Sequence, residues 1–326
     1  MYGLRARLTA SGLAVLAAAG FATFGAMAHR PALAQGQAAP IPELAQVEQI
    51  VGRRALLSND GVATFTTPRA DLQVAVMGVP TRPAFFQTGE VHFVPTANGA
   101  LVGGELPLRE DEVSPVMAML EDHQFEVTAI HHHAIGDTPP VLFLHFSGQG
   151  DPMQLAQELG AAMQFTTMEL QPAAIGRAPR GIDAAQIQAI MGEPGYADSG
   201  ILKFEVPRAE TITVNGRPLP QSAGAETEIF FQPTGPGRAA VTGDFCLVDS
   251  EVNPVIRALR TNGIDVGPIH NHELGDQPHL TFMHFFANDD ALALAHGLRA
   301  ALDQTNHGPG DVPTVDASPA APSPRS

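Results

Sequence analysis

HHHAIGDTPPVLFLHF, His131–Phe146, returns 139 residues later as HNHELGDQPHLTFMHF, His270–Phe285. Eight of the sixteen positions are identical, and they include His131/His270, His133/His272 and His145/His284 around a shared Gly-Asp-x-Pro turn. Apolar core positions tolerate exchange among residues of similar volume, so three histidines kept in register ask for a chemical reason. The offset holds without a gap from Gly104–Phe146 to Gly243–Phe285, where 17 of 43 positions agree. Upstream, Pro68-Arg69-Ala70-Asp71 matches Pro207-Arg208-Ala209-Glu210, and Glu90-Val91-His92-Phe93 matches Glu228-Ile229-Phe230-Phe231. The chain is a tandem duplication, with copies over 41–170 and 182–304 and a Pro/Gly/Arg linker over 171–181. A period this long, used twice, suggests two pseudo-symmetric domains packed on each other rather than a solenoid.

Each copy opens on an amphipathic helix, with Leu44, Val47, Ile50 and Val51 in the first and Ile187, Ile190 and Met191 in the second. Alternating segments at 72–77 and 211–214 read as strands, as do Ala100–Leu106 and Ala239–Leu247. Ser114-Pro115 and Asn253-Pro254 resemble a helix cap followed by a first-turn proline. A strand ending in the histidines, a turn, a second strand and a helix capped by Asp151 or Asp289 complete the copy. The fold class is α+β: an antiparallel sheet with packed helices in each copy, and a ferredoxin-like β-α-β-β-α order in its C-terminal part.

Gly136–Pro140 reads as a five-residue turn. Pairing Ile135 with Val141 sets His131 opposite His145 and, in the second copy, His270 opposite His284. Residues two apart on a strand share a face. Each copy therefore presents three histidines on one face, His131, His133 and His145 or His270, His272 and His284, with His132 and Asn271 turned away. Three co-facial imidazoles suit a divalent transition metal such as Zn, Cu or Ni. The duplicated carboxylates Glu105/Asp244 and Glu112/Glu251 are candidate partners for the ion or its ligands. Asp137/Asp276 reads as a turn-holding residue, and His279 as a turn residue able to add a ligand in the second copy only. His92, His123, His296 and His307 have no counterparts and read as surface or packing residues.

Residues 1–34 have the pattern of a cleavable signal peptide: Arg5 and Arg7, an apolar run from about Leu13 to Met27, and Ala32-Leu33-Ala34 before Gln35. No cysteine follows that run, so the expected mature form is periplasmic or secreted, without a lipid anchor or a membrane span. The formal net charge is −16 and Lys203 is the only lysine, a balance that repels phosphate backbones and excludes nucleic acid as the partner. Cys246, the only cysteine, faces Pro107 in the other copy and reads as a buried thiol. The segment 305–326 is rich in Pro, Ser and Ala and is expected to be disordered.

The pattern Gly-Asp/Glu, Glu-Val-Ser/Asn-Pro-Val, His-x-His-x-Ile/Leu-Gly-Asp-x-Pro and a closing His-Phe resembles the LppY/LpqO family of bacterial envelope proteins over most of 41–304. The resemblance implies an exported, duplicated envelope protein and implies no activity. That family usually has His-Asn-His, so His132 is a departure. Three readings remain open at this stage. One is a module binding a metal ion or small ligand. The second is a metal-assisted hydrolase with Glu105/Asp244 or Glu112/Glu251 as general base. The third is a metal-free pseudo-dimer whose histidines bond one another.

Overall fold

A computed structural model describes residues 41, 43–168, 176–310, 312 and 314–315. The expected signal segment and the linker residues 171–175 lie outside the described residues. In the first repeat α1 (Leu44–Val51) is followed by β1 (Leu56–Leu57), β2 (Ala63–Pro68), β3 (Ala75–Val76), β4 (Val79–Pro80), β5 (Thr88–Thr96) and β6 (Gly99–Leu108). Then come α2 (Glu110–Asp122), β7 (Glu126–His131), β8 (Asp137–Thr138), β9 (Leu142–Gly150) and α3 (Pro152–Met163). The second repeat has α4 (Ala184–Met191), β10 (Tyr196–Asp198), β11 (Ile201–Pro207), β12 (Thr213–Val214), β13 (Arg217–Pro218), β14 (Glu226–Gly235) and β15 (Arg238–Val248). It ends with α5 (Asp249–Thr261), β16 (Asp265–His270), β17 (Asp276–Gln277), β18 (Leu280–Asp290) and α6 (Ala291–Leu302), and β19 (Thr314–Val315) follows.

The main sheets run β19-β1-β2-β5-β6-β9-β7 and β10-β11-β14-β15-β18-β16, and β4-β3-β8 and β13-β12-β17 form two small ones. Within β6-α2-β7-β9-α3 the last strand lies between the first two and antiparallel to both, the ferredoxin-like order expected. Strand alternation sorts the side chains. On one face of the first sheet Phe65, Phe93, Val102, Leu106, Leu144 and Phe146 pack under α1, α2 and α3 through Val47, Val116, Leu120, Leu155 and Leu159. The second repeat repeats this with Phe204, Phe231, Phe245 and Phe285 under α4–α6. The opposite faces meet each other: Phe86, Ala134 and Phe143 of the first repeat share a buried cluster with Ile201, Ala240 and Phe286 of the second. Gln232 ties the repeats further, donating to the Pro80 carbonyl at 2.8 Å and accepting from the Arg82 amide at 2.7 Å.

Several local expectations are corrected. The helices expected to start at Pro115 and Pro254 begin earlier, at Glu110 and Asp249, and hold those prolines inside. The cause is Glu112 at the third helical position, which accepts the Arg109 amide at 2.8 Å, as Glu251 accepts that of Val248 at 3.0 Å. The segments at 72–77 and 211–214 shrink to two-residue strands, which pair with the turns before β9 and β18. The last helix is capped by Asp290, not Asp289, in keeping with the constant offset from Asp151. Residues 305–310, expected to be disordered, are bonded to the second repeat: Asn306 donates to Glu251 at 2.8 Å and Gly308 to the Pro207 carbonyl at 2.7 Å. Thr314–Val315 then pairs with Leu56–Leu57, while 316–326 lies outside the described residues.

Arg69 and Arg208, visible in sequence only as repeat matches, are buried anchors. Arg69 donates to Glu112 at 2.6 Å and to the Pro107 carbonyl at 2.9 Å. Arg208 pairs with Glu251 and donates to the Cys246 carbonyl at 2.9 Å. Cys246 itself is fully buried, as expected. Removing one member of such a pair leaves a buried charge uncompensated. Arg69→Ala is therefore expected to cost about 3–5 kcal/mol in chemical denaturation, and Arg69→Ala/Glu112→Gln to recover part of it. A loss under about 1 kcal/mol, the ordinary worth of an exposed pair, would contradict this role.

Candidate metal centre

The histidines lie on the inner faces of the two sheets, so the repeats bring them together. The register differs from that expected. His131 pairs with Phe143 and His270 with Phe282; each histidine strand carries a bulge, at Thr128 or at Gly267–Pro268, and ends at His131 or His270. No five-residue hairpin closes there, since Asp137–Thr138 and Asp276–Gln277 are drawn into the small sheets. From Ala129 and Ile269 onward the slip is two residues, and an even slip leaves the side chains there on their face. His131 and His145 thus remain co-facial, while His133 and His272 follow their strands in the connecting loops.

Sequence reasoning expects one cluster per copy. The structure merges them. His131 stacks on His270 with ring centroids 3.4 Å apart, and His133 lies 4.2 Å from His284 and His145 4.2 Å from His272. The ligand nitrogens of His131, His133 and His284 lie within 4.8 Å of one another, and so do those of His145, His270 and His272 together with His131. Two sets of three therefore use each histidine once. Each set joins the His-x-His of one repeat to the closing histidine of the other, and exchange of the repeats converts one set into the other.

Hydrogen bonds set the tautomers. A carbonyl oxygen only accepts, so Nδ1–H of His131 donates to His132 O, that of His270 to Asn271 O and that of His284 to Gly243 O, each at 3.0 Å. The Nε2 lone pairs are thereby left for the cluster. His131 and His145 approach through their Nε2 atoms at 2.8 Å. Nε2 of His270, His272 and His284 is buried without a hydrogen-bond partner among the described residues.

Of the candidate carboxylates, Glu105 and Asp244 reach the cluster and Glu112 and Glu251 do not, being held by Arg69 and Arg208. Glu105 Oε2 lies 3.1 Å from Nε2 of both His133 and His145 and so spans the two sets. Burial alone would raise the Glu105 carboxyl, but His133 and His145 hold it well below the usual range. Asp244, one methylene shorter, stays 3.7 Å from His272, and its Oδ1 has no partner among the described residues. Burial beside Glu105 pushes Asp244 up. Gly104 and Gly243 immediately precede these acids with φ of +138° and +140°, and a Cβ on either would meet the carbonyl of Glu90 or Glu228. Only glycine lets the strands approach so closely there.

Beside the histidines is a cavity of about 70 Å³ whose lining includes Glu90, Glu105, Glu228, Asp244 and Lys203. Burial, then Glu90 and Asp244, push Glu228 well up. Lys203 is occupied by Asp198 at 3.3 Å. The matched Glu90/Glu228 position was visible as a repeat similarity, but nothing in the residues alone pointed it inward. Asp137 and Asp276 hold their turns as expected, accepting the Val141 and Leu280 amides at 2.8 and 2.6 Å. His279 is exposed and bonded to Asp276 at 3.2 Å, and adds nothing to the cluster. Asn271 donates to the Thr128 carbonyl of the other repeat at 3.1 Å, and His132 stands 3.6 Å from Asp137. His92, expected to be a bystander, lines the cavity and bonds Thr64 at 3.0 Å.

Burial first, then the neighbouring rings, hold His131, His272 and His284 well below the ordinary histidine range, and lower His270 to about 3. In the unfolded chain these groups take up protons near pH 6.5. Between that value and about 3 the unfolded state binds more protons, so stability falls as pH falls. Asp244 and Glu228, pushed up by burial, act in the opposite direction over this range, so the histidine contribution is read as a difference: Tm of the metal-stripped protein relative to that of His270→Asn/His284→Asn should decrease from pH 7 to pH 5. Parallel curves for the two proteins would contradict this.

No curated protein matches the chain. A trimeric bacterial microcompartment shell protein, PduB, is similar at 12 % identity, over 75 % of this chain and 87 % of that one, with a TM-score of 0.19, a likeness too low to carry an argument. A family model described as Domain of Unknown Function (DUF1259) matches twice, over 45–165 and 185–304, the two repeats in turn. The chain belongs to that family as a tandem pair of its domains.

Proposed function

We propose that this is an exported, LppY/LpqO-like envelope protein that binds divalent transition metal through the interlaced histidines. One ion takes His131, His133 and His284, and the other His145, His270 and His272. Glu105 and Asp244 serve as carboxylates between them. The observation that carries the reading is that Nε2 of His270, His272 and His284 is buried and has no hydrogen-bond partner among the described residues. A buried polar group without a partner costs about 1–3 kcal/mol, and a bound cation removes that cost while keeping the rings neutral. Imidazole with carboxylate and no thiolate favours Zn, Cu or Ni.

The metal-free alternative requires the rings to satisfy one another, and only His131 and His145 make such a bond among the described residues. For hydrolysis, the Glu105 carboxylate, the candidate base nearest the histidines, is already engaged by His133 and His145 at 3.1 Å. Binding is the reading the geometry supports best.

Elemental analysis of the reconstituted mature protein, with a thermal-shift series over Zn, Cu, Ni and Co, tests it. The expected result is up to two ions per chain, a raised Tm with at least one ion, and loss of metal in His131→Ala/His133→Ala. Equally negligible metal in both proteins would defeat the reading. So would a Tm lowered by His145→Ala and raised by no ion.

A further inference from the structure

The repeats are matched in their ligands but not in what surrounds them. A groove of about 360 Å³ between the repeats shares His92, Ala223 and Glu273 with the histidine cavity, so the two adjoin. Its walls include Leu101 and Ser147 from the first repeat and Arg217 from the second. At the constant offset, Leu101 corresponds to Ala240, Ser147 to Phe286 and Glu273 to Ala134. Those three equivalents all belong to the apolar cluster between the sheets, packed with Phe86 and Phe143. One of two pseudo-equivalent approaches is thus filled with phenylalanine, while the other is left open, with Ser147 and Glu273 among its lining.

Glu273 stands at the junction. It follows His272 directly, is half-buried and lines both the cavity and the groove. Its Oε1 lies over Gly103, where an added Cβ would come within 3.7 Å. Asp244 and His284 line the same cavity, and Asp244 Oδ1 and His284 Nε2 are partnerless among the described residues, on residues 7 % and 2 % exposed. Arg217, the cation in the groove, is engaged by Gln149 at 2.5 Å. A carboxylate at the mouth, with further carboxylates and open imidazole nitrogens behind it, suits an ion that exchanges water for protein ligands in steps. Oxygen meets the hydrated cation first, and nitrogen holds it afterwards.

We propose that this groove is the entry path for a divalent cation and that the Glu273 carboxylate is its first protein ligand. The inference rests on the metal-binding reading of the histidines. Loading of the metal-stripped full-length mature chain with Co²⁺, followed by stopped-flow absorption of the bound ion, tests it. Glu273→Gln should load at least tenfold more slowly yet reach the wild-type Co²⁺ stoichiometry. Ser147→Phe, which copies the closed side, should also slow loading. A wild-type rate in Glu273→Gln overturns the ligand role, and a lowered final stoichiometry does so too, since Glu273 would then be a resident ligand. A wild-type rate in Ser147→Phe overturns the route. If the wild-type chain takes up no Co²⁺ at all, the metal-binding reading fails, and the entry path with it.

Discussion

Side chains on a β-strand alternate between two faces, and each repeat uses that alternation to separate packing from chemistry. The helix-covered faces carry Phe93, Leu106, Phe146 and their equivalents, which stabilise the repeat by apolar burial. The other faces carry Glu90, Glu105 and His145, and Glu228, Asp244 and His284. Such a face is poorly suited to solvent-free burial by itself, because adjacent carboxylates repel and imidazoles need partners. Packing the two faces on each other places both sets in one enclosed space, with Phe86, Phe143 and Phe286 sealing part of its edge. The merged cluster and the carboxylate cavity follow from this single sorting of side chains.

Much of this was legible in the residues because parity is robust. The expected pairing of His131 with His145 is wrong by two, yet the co-facial conclusion stands, since an even slip does not turn a strand over. What could not be read is how the inner faces meet. Spacing within one copy says nothing of the partner copy, so two separate clusters were expected where His133 is completed by His284 and His272 by His145. Glu112 and Glu251 recur in the sequence as site carboxylates would. Their recurrence is explained by Arg69 and Arg208, which recur with them 43 residues upstream. The prolines at 115 and 254 suggest helix starts, but the Glu112 and Glu251 side chains cap the helices five residues earlier.

Duplication also leaves each position free to diverge in one copy. Asp244 is shorter than Glu105 and falls short of its histidine. Asn271 bridges to the other repeat where His132 does not. Phe286 fills a space that Ser147 leaves open. The six clustered histidines show no such drift, and each set of three draws on both repeats.

The location of bound ions tests whether metal is held across the repeats. In crystals of the Zn-loaded protein, anomalous difference maps should place one ion about 2.0–2.1 Å from the nitrogens of His131, His133 and His284, and another at the same distance from those of His145, His270 and His272. Ions held instead by His131, His133 and His145 within one repeat, or no ion among the six histidines, would contradict it.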